Sequence, residues 1–187
     1  MNIEEKLIRS MVVFEGRYVR TEVRTVQLPD GKLAEREIVT PPNAVGILPI
    51  DDTGNVYMVR QYRSALSQTI LEIPAGIIES GEDSQETGRR ECEEEAGVIP
   101  QQMEYLCGFH HSVGFSTGRI EIYLATRLVP SSRVHTEEGE FLERVVMPFQ
   151  ELYDKVLSGE IVDSKTIVAV LWYSQRKQAG SKRRQDG

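Results

Sequence analysis

Gly76–Val98 reads GIIESGEDSQETGRRECEEEAGV, and the spacing of its carboxylates governs how the rest of the chain is understood. Glu91, Glu94 and Glu95 stand at i, i+3 and i+4, so at about 100° of rotation per residue they share one helix face, while Glu93 points elsewhere. Like charges so placed repel by a few tenths of a kcal/mol per pair, roughly, and call for a compensating positive charge. A hard divalent cation is one candidate, since Mg2+ prefers carboxylate and water oxygens. A solvated acidic helix is the other reading, and it is the better one for Glu93. Asp83, with Glu86 three residues on, forms a capping pair that starts the helix near Ser84. Gly97 is placed to stop it.

On the N-terminal side of this stretch, Ala44 to Ile50 is a short apolar run, Asp51 to Asn55 a turn, and Val56 to Gln61 a second strand. Ile70 to Ile73 delivers the chain through Pro74-Ala75-Gly76 to the acidic stretch. Beyond it, Met103 to Phe109 and Arg119 to Arg127 read as strands, the second with Ile120, Ile122 and Leu124 inward. Leu142 to Met147 is a further strand. Helices are expected over Phe149 to Leu157, stopped by Gly159, and from Asp163 or Ser164 to Gln175. Trp172, with Val168 and Leu171, reads as helix core. Upstream, a short helical start precedes a hairpin, Tyr18 to Val26 and Lys32 to Val39, turned at Leu28-Pro29-Asp30-Gly31-Lys32. The expected organisation is an N-terminal β subdomain over 1–42, a main domain over 43–176 and a basic, flexible tail over 177–187.

The 187 residues carry a net charge of −7 and 40% hydrophobic residues. That balance disfavours broad nucleic-acid binding, and no apolar run approaches the roughly 20 residues that span a bilayer. Two cysteines, Cys92 and Cys107, make no framework of disulfides and read as packed thiols. With no secretory signal at MNIEEKLIRS, the expected location is cytoplasmic. The adjacent pair His110-His111 would point to opposite faces of a strand and makes a poor zinc site.

Gly76, Glu82, Arg90-Glu91, Glu94-Glu95 and Gly97 fall in the register G-x5-E-x7-R-E-U-x-E-E-x-G-U, where U is apolar, and Cys92 is the one unusual choice. This stretch resembles the Nudix box. Arg60-Gln61-Tyr62-Arg63, Leu71-Glu72-Ile73-Pro74-Ala75-Gly76 and Gly159-Glu160-Ile161 followed by Asp163, Lys165 and Thr166 are similar to segments of the ADP-ribose pyrophosphatase branch, over roughly residues 40 to 175. The resemblance implies the Nudix fold, an α+β (layered α/β/α) arrangement with a mixed β-sheet between helices and a small N-terminal β-hairpin subdomain. It implies a pyrophosphohydrolase that splits ADP-ribose or a related nucleoside diphosphate sugar into a nucleoside monophosphate and a sugar phosphate.

Roles follow from the same resemblance. Glu91, Glu94 and Glu95, with the carbonyl of Ala75, would hold Mg2+, or Mn2+, against the pyrophosphate. Gly76, Glu82, Arg90 and Gly97 would support them, Glu82 by bracing the loop or pairing with Arg90. Arg63 would contact phosphates or the terminal ribose, Glu72 would accept a ribose hydroxyl, and Gly114 lies in the substrate loop Ser112 to Arg119. A general base is expected among Glu137, Glu138 and Glu140, with Glu138 foremost. The hairpin subdomain would pair two subunits as a homodimer. The substrate loop departs from its usual S-P-G-x-x-x-E-R form at Val113 and Gly118, which leaves open a preference for GDP-mannose or other ADP-sugars. The rival from another class is a non-catalytic, ADP-ribose-sensing domain.

Overall fold

A computed structural model describes residues 2–132 and 141–185. The chain divides into two compact units, one made of the chain up to Asn43 with Phe109–Arg119, the other of Ala44–Gly108 with the chain from Ile120 onward.

The first unit is a three-stranded antiparallel sheet in the order β1-β2-β3, with β1 Lys6–Glu15, β2 Arg20–Gln27 and β3 Leu33–Thr40. The expected hairpin is β2 and β3, closed where the Gly31 amide donates to the Leu28 carbonyl at 2.9 Å. The expected helical start is instead β1. Its partner β2 supplies an antiparallel ladder from Lys6↔Gln27 to Glu15↔Arg20, with register shifts between Leu7 and Arg9 and between Val12 and Phe14, and this pairing outweighs the local helix propensity of Glu4 to Leu7. Residues 109–119 join this sheet through Val39, whose amide donates to the Phe115 carbonyl and whose carbonyl accepts from the Thr117 amide.

The second unit contains two sheets. One has the order β10-β5-β6, built from β5 Asn55–Arg63, β6 Gln68–Glu72 and β10 Leu142–Pro148. The other has the order β7-β4-β9-β8 and is mixed: β4 Ala44–Pro49 pairs antiparallel with β7 Ala75–Ile77 and parallel with β9 Arg119–Pro130. Strand β8, Val98–His110, completes it. Val45, Ile47, Tyr123 and Ala125 on one face pack with Cys92, Ala96 and Val98. Cys92 and Ala96 belong to α1, Ser84–Ala96. On the other face Gly46 leaves room for Ile122 and for the stem of Lys165, from α3, Ser164–Gln185. Helices therefore cover both faces of the mixed sheet, as the layered reading expects. Because β9 is covered on both sides, Tyr123 and Ala125 are buried along with Ile122, and the simple inward alternation of Ile120, Ile122 and Leu124 does not hold.

Helix α2 spans Phe149–Leu157, as expected, and Gly159 follows with φ 78°. Helix α3 runs past Gln175 to Gln185, since Arg176 to Ala179 are all good helix formers. Its buried residues, Lys165, Thr166, Ala169, Val170 and Ser174, form a stripe at helical spacing. That stripe turns Trp172 outward to 48% exposure, so Trp172 is not a core residue. Among the described residues no helix is long and apolar enough to cross a membrane.

The start of α1 is fixed locally. Asp83 is extended, and its Oδ1 accepts from the amides of Gln85 at 2.9 Å and Glu86 at 3.2 Å, satisfying two of the donors that open a helix. Asp83→Ala is expected to cost about 1 kcal/mol of stability, read as a lower urea midpoint at unchanged slope.

Candidate active site

The site grows from three adjacent pieces of the second unit: the segment 72–76 that ends β6 and opens β7, the helix α1, and the start of α3. Gly76 is the first requirement. A Cβ at this position would lie on the Glu91 carboxyl and 2.5 Å from its Cγ. Only a glycine lets the glutamate fold against the strand. One residue earlier, the Ala75 amide donates to Glu95 Oε2 at 2.8 Å. Strand β7 and helix α1 are thus tied by two of the three clustered glutamates.

Arg90 supplies the positive charge that the crowded face needs. Its Nη1 lies 2.8 Å from Glu91 Oε1 and 3.0 Å from Glu94 Oε2, and its Nε lies 3.6 Å from Glu82 Oε1. Burial works against this cation, yet Glu91, Glu94 and Glu82 outweigh it and hold its pKa above the ordinary arginine value. Glu82 also accepts from the Glu79 amide at 3.3 Å. Hydrogen bonding from Thr87, that amide and the charge of Arg90 keep its carboxyl below the usual range. It braces the loop.

Glu93 faces away, accepting from Ser131 Oγ at 2.7 Å. At the end of the helix Gly97 is left-handed, φ 73°, a conformation that costs a glycine little. Arg144 of β10 donates from Nε and Nη2 to the carbonyls of Glu95 and Glu94 at 2.8 and 2.9 Å. It satisfies two terminal acceptors and packs where a Cβ at 97 would be 3.0 Å from its Nη1. Nothing in the local sequence announces Arg144, because it arrives from a strand some fifty residues away.

Glu72 is 1% exposed, beneath Arg63. Arg63 Nε and Nη2 donate to its two oxygens at 2.7 and 2.8 Å, and Lys165 Nζ pairs with the same carboxylate. Asp163 Oδ2 lies 3.1 Å from Lys165 Nζ. Burial disfavours the Arg63 cation, but Glu72, Glu95 and Asp163 together raise its pKa. Cys92 is fully buried, and burial pushes its thiol up to about 12, so it serves as an apolar position and not as a nucleophile.

As it stands, the arrangement draws Glu91 and Glu94 to Arg90 and Glu95 to the Ala75 amide. Among the described residues no three His, Cys, Asp or Glu side chains are arranged to hold a metal ion. The donor set nonetheless fits a hard divalent cation: three carboxylates, a nearby backbone carbonyl at Ala75, and a glycine that keeps Glu91 against it. Gly114 belongs to the first unit, in a loop where Ser112 carbonyl accepts from the amides of Phe115 and Ser116. His110 Nδ1 lies 3.1 Å from the Gly118 carbonyl and His111 Nδ1 3.2 Å from Ser112 Oγ. Glu137, Glu138 and Glu140 lie outside the described residues.

Residues 40–169 match the NUDIX domain model. The chain is 40% identical over 177 residues to a methanol dehydrogenase activator of Bacillus methanolicus, covering 94% of this chain and 95% of that protein. It is 37% identical over 179 residues to an ADP-ribose pyrophosphatase of Bacillus subtilis, covering 95% and 96% respectively. A solved structure described as an ADP compounds hydrolase superposes with a TM-score of 0.85 at 21% identity, covering 96% of this chain and 98% of that one.

Gly76→Ala is expected to push the Glu91 carboxyl out of place, lowering any metal-dependent turnover by about 100-fold or more. Circular dichroism with a thermal melt should show that the variant still folds.

Proposed function

The chain belongs to the Nudix family, and on that premise we propose that it hydrolyses ADP-ribose, or a closely related nucleoside diphosphate sugar, with the help of a divalent cation. The observation that carries this reading is the completeness of the carboxylate platform. Gly76 admits Glu91, Arg90 gathers Glu91 and Glu94, and Glu95 is fixed on the strand that carries the Ala75 carbonyl.

In this proposal Glu91, Glu94, Glu95 and the Ala75 carbonyl hold Mg2+ or Mn2+. When bound, such an ion neutralises the pyrophosphate and lowers the pKa of nearby water. Arg63 takes a phosphate or the terminal ribose, a role supported by its 41% exposed side chain and its full charge. One of Glu137, Glu138 and Glu140, Glu138 first, accepts the proton of the attacking water. Cleavage of the P–O–P bridge releases a nucleoside monophosphate and a sugar phosphate.

The protein works in the cytoplasm as a homodimer. Strand β1 lies at a sheet edge with all ten of its residues exposed, including Leu7, Ile8, Met11, Val12 and Phe14. An exposed apolar edge of this kind supports pairing with a second copy. Met11→Asp is expected to shift the sedimentation coefficient from dimer to monomer. A wild-type protein that sediments as a monomer would refute the assembly.

The 40% identical relative supports a second reading, in which the chain acts on a dehydrogenase. The discriminating assay incubates the protein with Mg2+ and ADP-ribose, ADP-glucose, GDP-mannose and diadenosine polyphosphates. Release of a nucleoside monophosphate from ADP-ribose is expected, and no turnover of any of the four would sink the hydrolase reading. Glu94→Gln is expected to lose about 100-fold or more in kcat and Glu93→Gln less than about threefold. Equal losses would show that the catalytic face of α1 is wrongly assigned.

A further inference from the structure

The segment that leads into the platform is held at every residue from 72 to 75. Glu72 is paired with Arg63 and Lys165, and the Ile73 amide donates to Thr166 Oγ1 at 2.9 Å. The Pro74 carbonyl accepts from the Ile47 amide at 2.9 Å, and the Ala75 amide donates to Glu95. Two of these four ties come from consecutive residues of α3, Lys165 and Thr166. Asp163 anchors that pair, accepting from the Thr166 amide at 3.0 Å and from its hydroxyl at 2.6 Å while lying 3.1 Å from Lys165 Nζ.

Arg63, Lys165, Glu72 and Asp163 form a neutral quartet, two cations against two anions. Glu72 Oε2 is the shared atom: it receives Arg63 Nη2 at 2.8 Å and also pairs with Lys165. The two cations therefore share one oxygen, and the positive charge of Lys165 beside it opposes drawing Arg63 further into the interior. Of the four, Arg63 is the one with a largely open side chain, at 41%, against 9% for Lys165, 14% for Asp163 and 1% for Glu72. The influence of Glu95 on Arg63 puts this outer cation within electrostatic reach of the platform. Lys165 is itself held, with its side chain buried past Gly46 and its Nζ between Glu72 and Asp163.

We propose that Lys165 is a positioning residue, which acts through Glu72 to hold the Arg63 guanidinium at the anionic part of the substrate. This rests on the hydrolase reading above and on Arg63 as a substrate contact. Lys165 itself touches no substrate. A truncated Lys165 leaves Glu72 to Arg63 alone, so the guanidinium turns inward and the substrate loses a partner. The loss falls on binding more than on the chemical step.

The experiment compares wild type, Lys165→Met, Arg63→Met and the double variant in steady-state hydrolysis of ADP-ribose with saturating Mg2+. Lys165→Met is expected to raise KM about tenfold with kcat within about threefold. In the Arg63→Met background the same change should leave KM within about twofold, because the residue through which it acts is gone. Lys165→Arg, which keeps a cation at Glu72, should bring KM back to within about threefold of wild type. Equal KM increases in both backgrounds, or a fall confined to kcat, would overturn the positioning role. Should Lys165→Met fail to fold by circular dichroism, Lys165→Gln and Asp163→Asn carry the test, each measured with and without Arg63→Met. Effects on KM that persist undiminished without Arg63 would again overturn it. A wild-type enzyme without turnover on any nucleoside diphosphate sugar sinks the functional reading itself, which separates the two failures.

Discussion

Three carboxylates on one helix face are the constraint from which the second unit is built. Their mutual repulsion has to be offset in the folded protein before any ligand arrives, and Arg90 is the cation that offsets it for Glu91 and Glu94. Glu95 is handled differently, by a backbone donor on the neighbouring strand. The two devices have different consequences. A guanidinium on the surface can give way to a stronger cation, whereas the Ala75 amide is fixed by the β4–β7 ladder at Gly46↔Ala75. The platform therefore combines one carboxylate tied to the backbone with two paired to a side chain. Gly76 makes this possible by letting the helix and the strand approach until Glu91 fills the space a side chain would take.

Much of this was legible in sequence because it is short-ranged. The cap at Asp83, the stop at Gly97 and the i, i+3, i+4 face are relations within one turn of one helix, and each is present in the fold. Strands β4 to β6 and β10 were legible for a similar reason, since apolar runs bounded by turns are local signals. Strand β1 was not. All ten of its residues are exposed, so it carries no inside–outside alternation, and its strand character comes from the ladder with β2. Trp172 misled for the reverse reason: its hydrophobicity is plain in the sequence, but the buried stripe of α3 runs through Thr166, Ala169 and Val170 instead.

The supports of the site were the least legible. Arg144 under the carbonyls of Glu94 and Glu95, Ser131 on Glu93, and Lys165 on Glu72 join residues between 38 and 93 positions apart. Charged and hydroxyl side chains have no periodic signature that names a distant partner. The motif GEI-x-D-x-KT marks the place of Lys165 and Thr166 without saying what they do, and only the fold brings them to the strand that ends at Ala75. Glu72, Lys165 and Asp163, the inner members of the quartet, are costly to assemble as charges, and an apolar packing of the same volume is often at least as stable. In the proposal for Lys165, what the quartet contributes is the position of Arg63.

The loop from Ser112 to Arg119 is also shaped by packing at Gly118, where the resemblance to the ADP-ribose pyrophosphatase branch would place a glutamate. A Cβ there would lie 2.5 Å from His111 Nε2 and 2.7 Å from Pro41 Cγ, all within the first unit. The side chain is absent because its space is taken. His110 and His111 occupy the turn by bonding the Gly118 carbonyl and Ser112, and the backbone of Phe115 and Thr117 extends β3 at Val39. A glutamate at 118 would have to shift both the His111 ring and the Pro41 ring. The packing that crowds position 118 thus lies within the first unit.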